Sequence, residues 1–136
     1  MVENEVKEVC SLDKELYKCI TDNIDTDKVV LTSKSILHIL NHHPDAYNEV
    51  LIELKQAILD PDYIIADEKH EDTGIVVRKI ESSLSNGVHS FIVLKICTDS
   101  KNGVFANSVI SGWKISDKRL QSYLRNKGVL YKKENS

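Results

Sequence analysis

Up to about residue 60, apolar positions mostly recur at three- and four-residue intervals, the spacing of a helix with one buried side. Leu12 to Ile24 predicts a short amphipathic helix with Leu16, Cys19, Ile20 and Ile24 together. Residues 5–10 suit a short strand, and Val29-Val30-Leu31 is a brief apolar run. Thr32 has the character of an N-cap, opening a helix that carries Ile36, Leu37 and Leu40 before Pro44 closes it. Asp45 is placed to cap a further helix. Tyr47, Val50, Leu51, Leu54, Ala57 and Ile58 would form its buried side, and Asp60-Pro61 would end it.

The pattern then changes. Tyr63-Ile64-Ile65, Ile75 to Ile80, Phe91 to Cys97 and Val104 to Ile110 are rich in β-branched and aromatic residues, as strands are. His70-Glu71-Asp72-Thr73-Gly74, Ser85-Asn86-Gly87 and Asp99-Ser100-Lys101-Asn102-Gly103 separate them. Such short turns between successive strands imply an antiparallel meander. Ser116 is the expected cap of a last helix through Leu120, Tyr123 and Leu124, stopping near Gly128. The expected fold class is therefore α+β: N-terminal helices packed on a four-stranded antiparallel sheet, with a short C-terminal helix. One domain would occupy residues 1–136, with an N-terminal extension over about 1–28 and a polar tail over about 132–136.

Composition narrows the class. With 41% hydrophobic and 29% charged residues, the chain has the makeup of an ordinary globular domain rather than a disordered one. No apolar run nears the roughly 20 residues of a membrane helix, and Met1-Val2-Glu3-Asn4-Glu5 is acidic where a signal peptide would be basic. Cys10, Cys19 and Cys97 are odd in number and scattered, which suits reduced thiols and a cytoplasmic location. The net charge of −3 conceals a division. Residues 1–74 hold 17 acidic and 7 basic side chains; residues 75–136 hold 4 and 11. That asymmetry is compatible with a polyanionic partner and equally with an ordinary solvated surface.

Three places attract chemical interest. His38 and His42 stand four residues apart, on one side of a helix, with His43 beside them. They suit metal ligands, an acid–base pair, or cations at a helix C-terminus. A zinc-protease helix requires glutamate directly after the first histidine; Ile39 occupies that place, and no third ligand is evident. No metal or cofactor is expected. Lys95 interrupts the most apolar strand, so its ammonium must reach solvent, a carboxylate or a bound anion. Asn107, Ser108 and Ser111 lie on the following strand, and hairpin register decides which of Asn107 and Ser108 shares a face with Lys95. No nucleophile elbow, P-loop or dinucleotide fingerprint is present. Trp113 to Lys133 interleaves aromatics with Lys114, Lys118, Arg119, Arg125, Lys127 and Lys132. That pattern suits either a nucleic-acid surface or the charged outer side of an amphipathic helix.

Taken in order, His38-Ile39 to His42, Asp60-Pro61-Asp62-Tyr63-Ile64, Ile92 to Ile96, Ala106-Asn107-Ser108 and Ile115 to Arg125 resemble a known family. It is the phage-associated branch of the barnase, EndoU, colicin and RelE-like nucleases, the PBECR domains. The likeness spans about residues 29 to 131, carried by the order of short motifs rather than by any one of them. It departs at Asn41, where the family often has a basic residue before the second histidine. The resemblance implies a metal-independent endoribonuclease of toxin or phage type, cutting RNA (tRNA among the candidates) by attack of the ribose 2′-hydroxyl. His38 and His42 would then be the acid–base pair, Lys95 the phosphate stabiliser and Ser108 a hydrogen-bond donor. Lys114, Lys118, Arg119, Tyr131 and Lys132 would hold the RNA backbone. A cognate immunity or antitoxin protein is a further expected partner. The alternatives are a non-catalytic RNA- or protein-binding module and, more remotely, an immunity protein whose acidic half mimics nucleic acid.

Overall fold

The fold is seen in a computed structural model of the chain, which describes residues 6–32, 34, 35, 37, 41, 47–79, 87–98 and 106–134. Among these, seven strands form one sheet: β1 (Val6–Ser11), β2 (Lys28–Thr32), β3 (Tyr63–Ala66), β4 (Thr73–Lys79), β5 (Val88–Lys95), β6 (Asn107–Ser116) and β7 (Val129–Lys132). Their order across the sheet is β1-β2-β6-β5-β4-β3-β7. All neighbours are antiparallel except β2 and β6, which run parallel. The helices described along their length are α1 (Lys14–Tyr17), α2 (Tyr47–Leu59) and α3 (Asp117–Asn126), and residues 34, 35, 37 and 41 are also helical.

This corrects the expected four-stranded sheet with helices stacked on it. β3 to β6 are consecutive antiparallel neighbours, but they are the middle of a wider, mixed sheet. β1 matches the short strand expected over residues 5–10, while two further strands were hidden. β2 is the brief apolar run Val29-Val30-Leu31, buried because β1 covers one side and β6 the other. Val129-Leu130-Tyr131-Lys132, just past the expected helix stop at Gly128, folds back as β7, a four-residue edge strand with largely exposed side chains. The helix expected over 12–24 shrinks to the four residues of α1. Asp13 caps it, accepting from Glu15 N at 3.0 Å. The following Thr21-Asp22-Asn23 favours local side-chain bonds, such as Asn23 N to Thr21 Oγ1 at 3.4 Å, over another helical turn.

Side chains alternate across the strands, so two apolar clusters form on opposite faces. On one, Leu54, Ala57 and Ile58 of α2 meet Ile64, Val76, Ile92, Leu94, Val29, Leu31 and Val109. On the other, Leu120 of α3 meets Ile65, Val77, Phe91 and Ile115. The Tyr123 ring lies 4.8 Å from that of Phe91, centroid to centroid. Ser116 caps α3 by accepting from Arg119 N at 3.2 Å. Tyr17, fully buried, donates its hydroxyl to the Ile58 carbonyl at 2.8 Å. That carbonyl is in the last turn of α2, where helix carbonyls have no partner of their own, so α1 also serves as a cap. Burial pushes the Tyr17 phenol well above its ordinary range, with lesser help from Cys10 and Cys19. Gly74 lets the Ile20 side chain pack close to β4: a Cβ there would stand 2.5 Å from Ile20 Cδ1, so that side chain would have to shift.

Among the described residues no helix is long and apolar enough to cross a membrane.

Candidate functional site

β4 begins, β5 ends and β6 begins at one end of the sheet. There the register answers the question that the sequence leaves open. Lys95 pairs with Ser108, not Asn107. A one-residue irregularity between Val93 and Leu94 sets this register, because β6 carries an extra residue, Ile110, opposite that step. Directly opposed residues share a face and hold their Cβ atoms roughly 5 Å apart. Thr73 pairs with Lys95 from the other side. Thr73, Lys95 and Ser108 therefore form a row across three strands, on the α3 face, since Lys95 alternates with Phe91 and Val93.

Asn107 points the opposite way and is fully buried. Its Oδ1 accepts from Cys97 N at 2.8 Å, and its Nδ2 donates to the carbonyls of Thr26 at 2.8 Å and Lys28 at 3.0 Å. One amide thus ties the exit of β5 to the entry of β2 across β6. It builds the floor beside the site and takes no part in its chemistry.

The row opens into a cavity of about 670 Å³. Lys95, Ile96, Cys97, Thr98, Ala106 and Ser108 line it together with Lys69-His70-Glu71-Asp72 of the β3–β4 loop. Lys95 is solvent-exposed and Ser108 half-buried. The loop is pinned at both ends. Asp67 Oδ1 accepts from Lys69 N at 2.9 Å, while Oδ2 lies 3.1 Å from His70 Nδ1. Asp72, in the left-handed region at φ 55°, accepts Ile96 N on its carbonyl at 2.8 Å and the Thr98 hydroxyl on its carboxylate at 3.4 Å. Thr73 donates to the Glu71 carbonyl at 2.9 Å. Lys127, just past α3, forms a 3.2 Å ion pair with Glu68 of the same loop.

No family model, curated protein or solved structure matches this chain. The site stands on its own geometry.

Of the residues singled out by sequence, Lys95 and Ser108 come together. His38, His42 and His43 lie outside the described residues. The expected RNA-binding set divides. Lys118 and Arg119 are exposed on α3, and Arg119 lines a second cavity of about 310 Å³ with Ser122, Tyr123, Asn126 and Lys127. Lys132 pairs with Tyr63, which packs on the α3-face cluster. Tyr131, opposite Ile64, instead packs against the α2-face cluster, and Lys114, opposite Ser90, faces the same way. Those two do not share the surface of Lys95. The histidine that the structure does bring to Lys95 and Ser108 is His70, which sequence reading passes over as part of a turn. A signal was present: Asp67 and His70 stand three residues apart in a loop between strands, and such loops commonly carry function. Among the described residues, no three His, Cys, Asp or Glu side chains are grouped as metal ligands.

Proposed function

We propose that the chain cleaves RNA at the Lys95–Ser108 cleft, through attack of a ribose 2′-hydroxyl on the adjacent phosphate. The observation that carries the reading is the cross-strand pairing of Lys95 with Ser108 at the mouth of the 670 Å³ cavity. A lysine on a strand is held by the sheet and presents a compact positive charge, suited to a phosphate oxygen. The opposing serine hydroxyl supplies a directional donor to the same group. As the 2′-oxygen adds to phosphorus, negative charge accumulates on the non-bridging oxygens, and a fixed cation and donor stabilise it more than they stabilise the resting phosphodiester. Histidine is the side chain suited to the proton transfers, and the sequence offers His38 and His42 as candidates. Arg119, Lys118 and Lys132, toward the other end of the sheet, would extend the positive potential along the RNA.

The test is cleavage of a labelled RNA in the presence of chelator. Lys95→Ala is expected to lower the rate about 10²- to 10³-fold, and Ser108→Ala about tenfold, in proteins whose circular dichroism matches wild type. Undiminished cleavage by Lys95→Ala would reject the site. RNA binding without any cleavage, steeply weakened by salt, would select the non-catalytic module.

A further inference from the structure

Resting on that reading, we infer that His70, held by Asp67, is the general base of the Lys95–Ser108 cleft. His70 lines the same cavity as Lys95 and Ser108 and comes from the β3–β4 loop, whose end at Thr73 pairs with Lys95. Its Nδ1 lies 3.1 Å from Asp67 Oδ2, a carboxylate that is only 13% exposed. The second oxygen of that carboxylate is already engaged by Lys69 N at 2.9 Å, so the acceptor cannot turn away. A carboxylate fixed in this way takes the Nδ1 proton and leaves the basic lone pair on Nε2, at the far side of the ring. The ring itself is well exposed, with 65% of its side-chain surface open, so Nε2 is accessible to a bound ribose. Asp67 is a positioning residue, acting only through the ring.

In the step this serves, Nε2 takes the proton of the 2′-hydroxyl as the 2′-oxygen forms its bond to phosphorus. The bond from phosphorus to the 5′-oxygen breaks, and the departing oxygen takes a proton from a water molecule. His70 then releases its proton to the resulting hydroxide. The products are a 2′,3′-cyclic phosphate and a 5′-hydroxyl, with no net gain or loss of protons. The β3–β4 loop suits this work because both its ends are fixed. Ala66 N donates to Gly128 O at 2.7 Å, and Ile96 N to Asp72 O at 2.8 Å.

The experiment compares wild type, His70→Ala, Asp67→Asn and Lys95→Ala on a short RNA. Steady-state cleavage is measured alongside binding of the uncleavable 2′-deoxy analogue. His70→Ala is expected to lower kcat about 10²- to 10³-fold with analogue binding unchanged, and added imidazole should restore part of the rate. Asp67→Asn should lower kcat with little change in KM. If Lys95→Ala loses activity while His70→Ala cleaves as wild type does, the inference fails and the cleft survives. If His70→Ala loses analogue binding along with cleavage and imidazole restores nothing, His70 is structural and the inference again fails. A wild type that cleaves no RNA removes both the reading and the inference.

Discussion

Asn107 shows how a side chain with the look of chemistry can be architecture. Its amide makes one acceptor and two donor bonds to backbone groups on two separate segments, the exit of β5 and the entry of β2. A fully buried amide with every bond made is expensive to disturb, because the orphaned backbone groups cannot reach water. Asn107→Ala is therefore expected to lower the unfolding free energy by about 3 kcal/mol, read from urea denaturation. Asn107→Asp should be as damaging, since an oxygen would replace the donor facing the Thr26 and Lys28 carbonyls. A variant of wild-type stability would contradict this role. Tyr17→Phe removes one hydroxyl from the end of α2 and should cost about 1–2 kcal/mol in the same measurement. Lys95 was legible in the sequence because a cation within an apolar run has few places to go. The partners of Asn107, some 80 residues distant in the chain, leave no local trace. His70 was passed over for a related reason: only the fold brings its loop opposite β5.

At the scale of elements, the segments that the sequence described well are those whose burial is one-sided and local. The burial of Leu54, Ala57 and Ile58 on α2 and the Ser116 cap of α3 follow directly from spacing and capping chemistry. β2 and β7 did not, because each owes its structure to distant partners: β2 to β6, and β7 to β3. β7 is secured further by Asp60. The Asp60 carboxylate accepts from Lys133 Nζ at 2.8 Å and Arg78 Nη1 at 3.1 Å, joining the end of α2, β4 and the residue after β7. The Lys133 bond first, then Arg78, holds the Asp60 carboxyl below its ordinary value of 3.8. A depressed carboxyl stabilises the fold fully above its unfolded value, and that contribution is lost as pH falls through the folded one. Exchange protection of the β7 amides, corrected for the intrinsic rate, should therefore weaken as pH drops from about 5 to 3. Asp60→Asn, lacking the charge at every pH, should show weaker protection at pH 5 and little further change. Equal pH dependence in both proteins would exclude Asp60 as the cause.

Among the described residues, the molecule is a sheet with α2 on one face and α3 on the other, and its candidate site at one end of the α3 face. The division between an acidic first half and a basic second half is real in the chain, yet it does not map onto two working surfaces. The cleft draws Lys95 and Ser108 from the basic half and Asp67, Lys69 and His70 from the acidic one. A site at the seam of two sequence regions is visible only once the sheet has aligned them. The account therefore depends on one chemical outcome more than on any stability measurement. Mass spectrometry of the ends left on a defined RNA, treated in the presence of chelator with wild type or Lys95→Ala, reads that outcome directly. The account predicts 2′,3′-cyclic phosphate and 5′-hydroxyl ends from wild type and almost none from Lys95→Ala. Intact RNA with wild type, or the same ends at the same yield from Lys95→Ala, would contradict it.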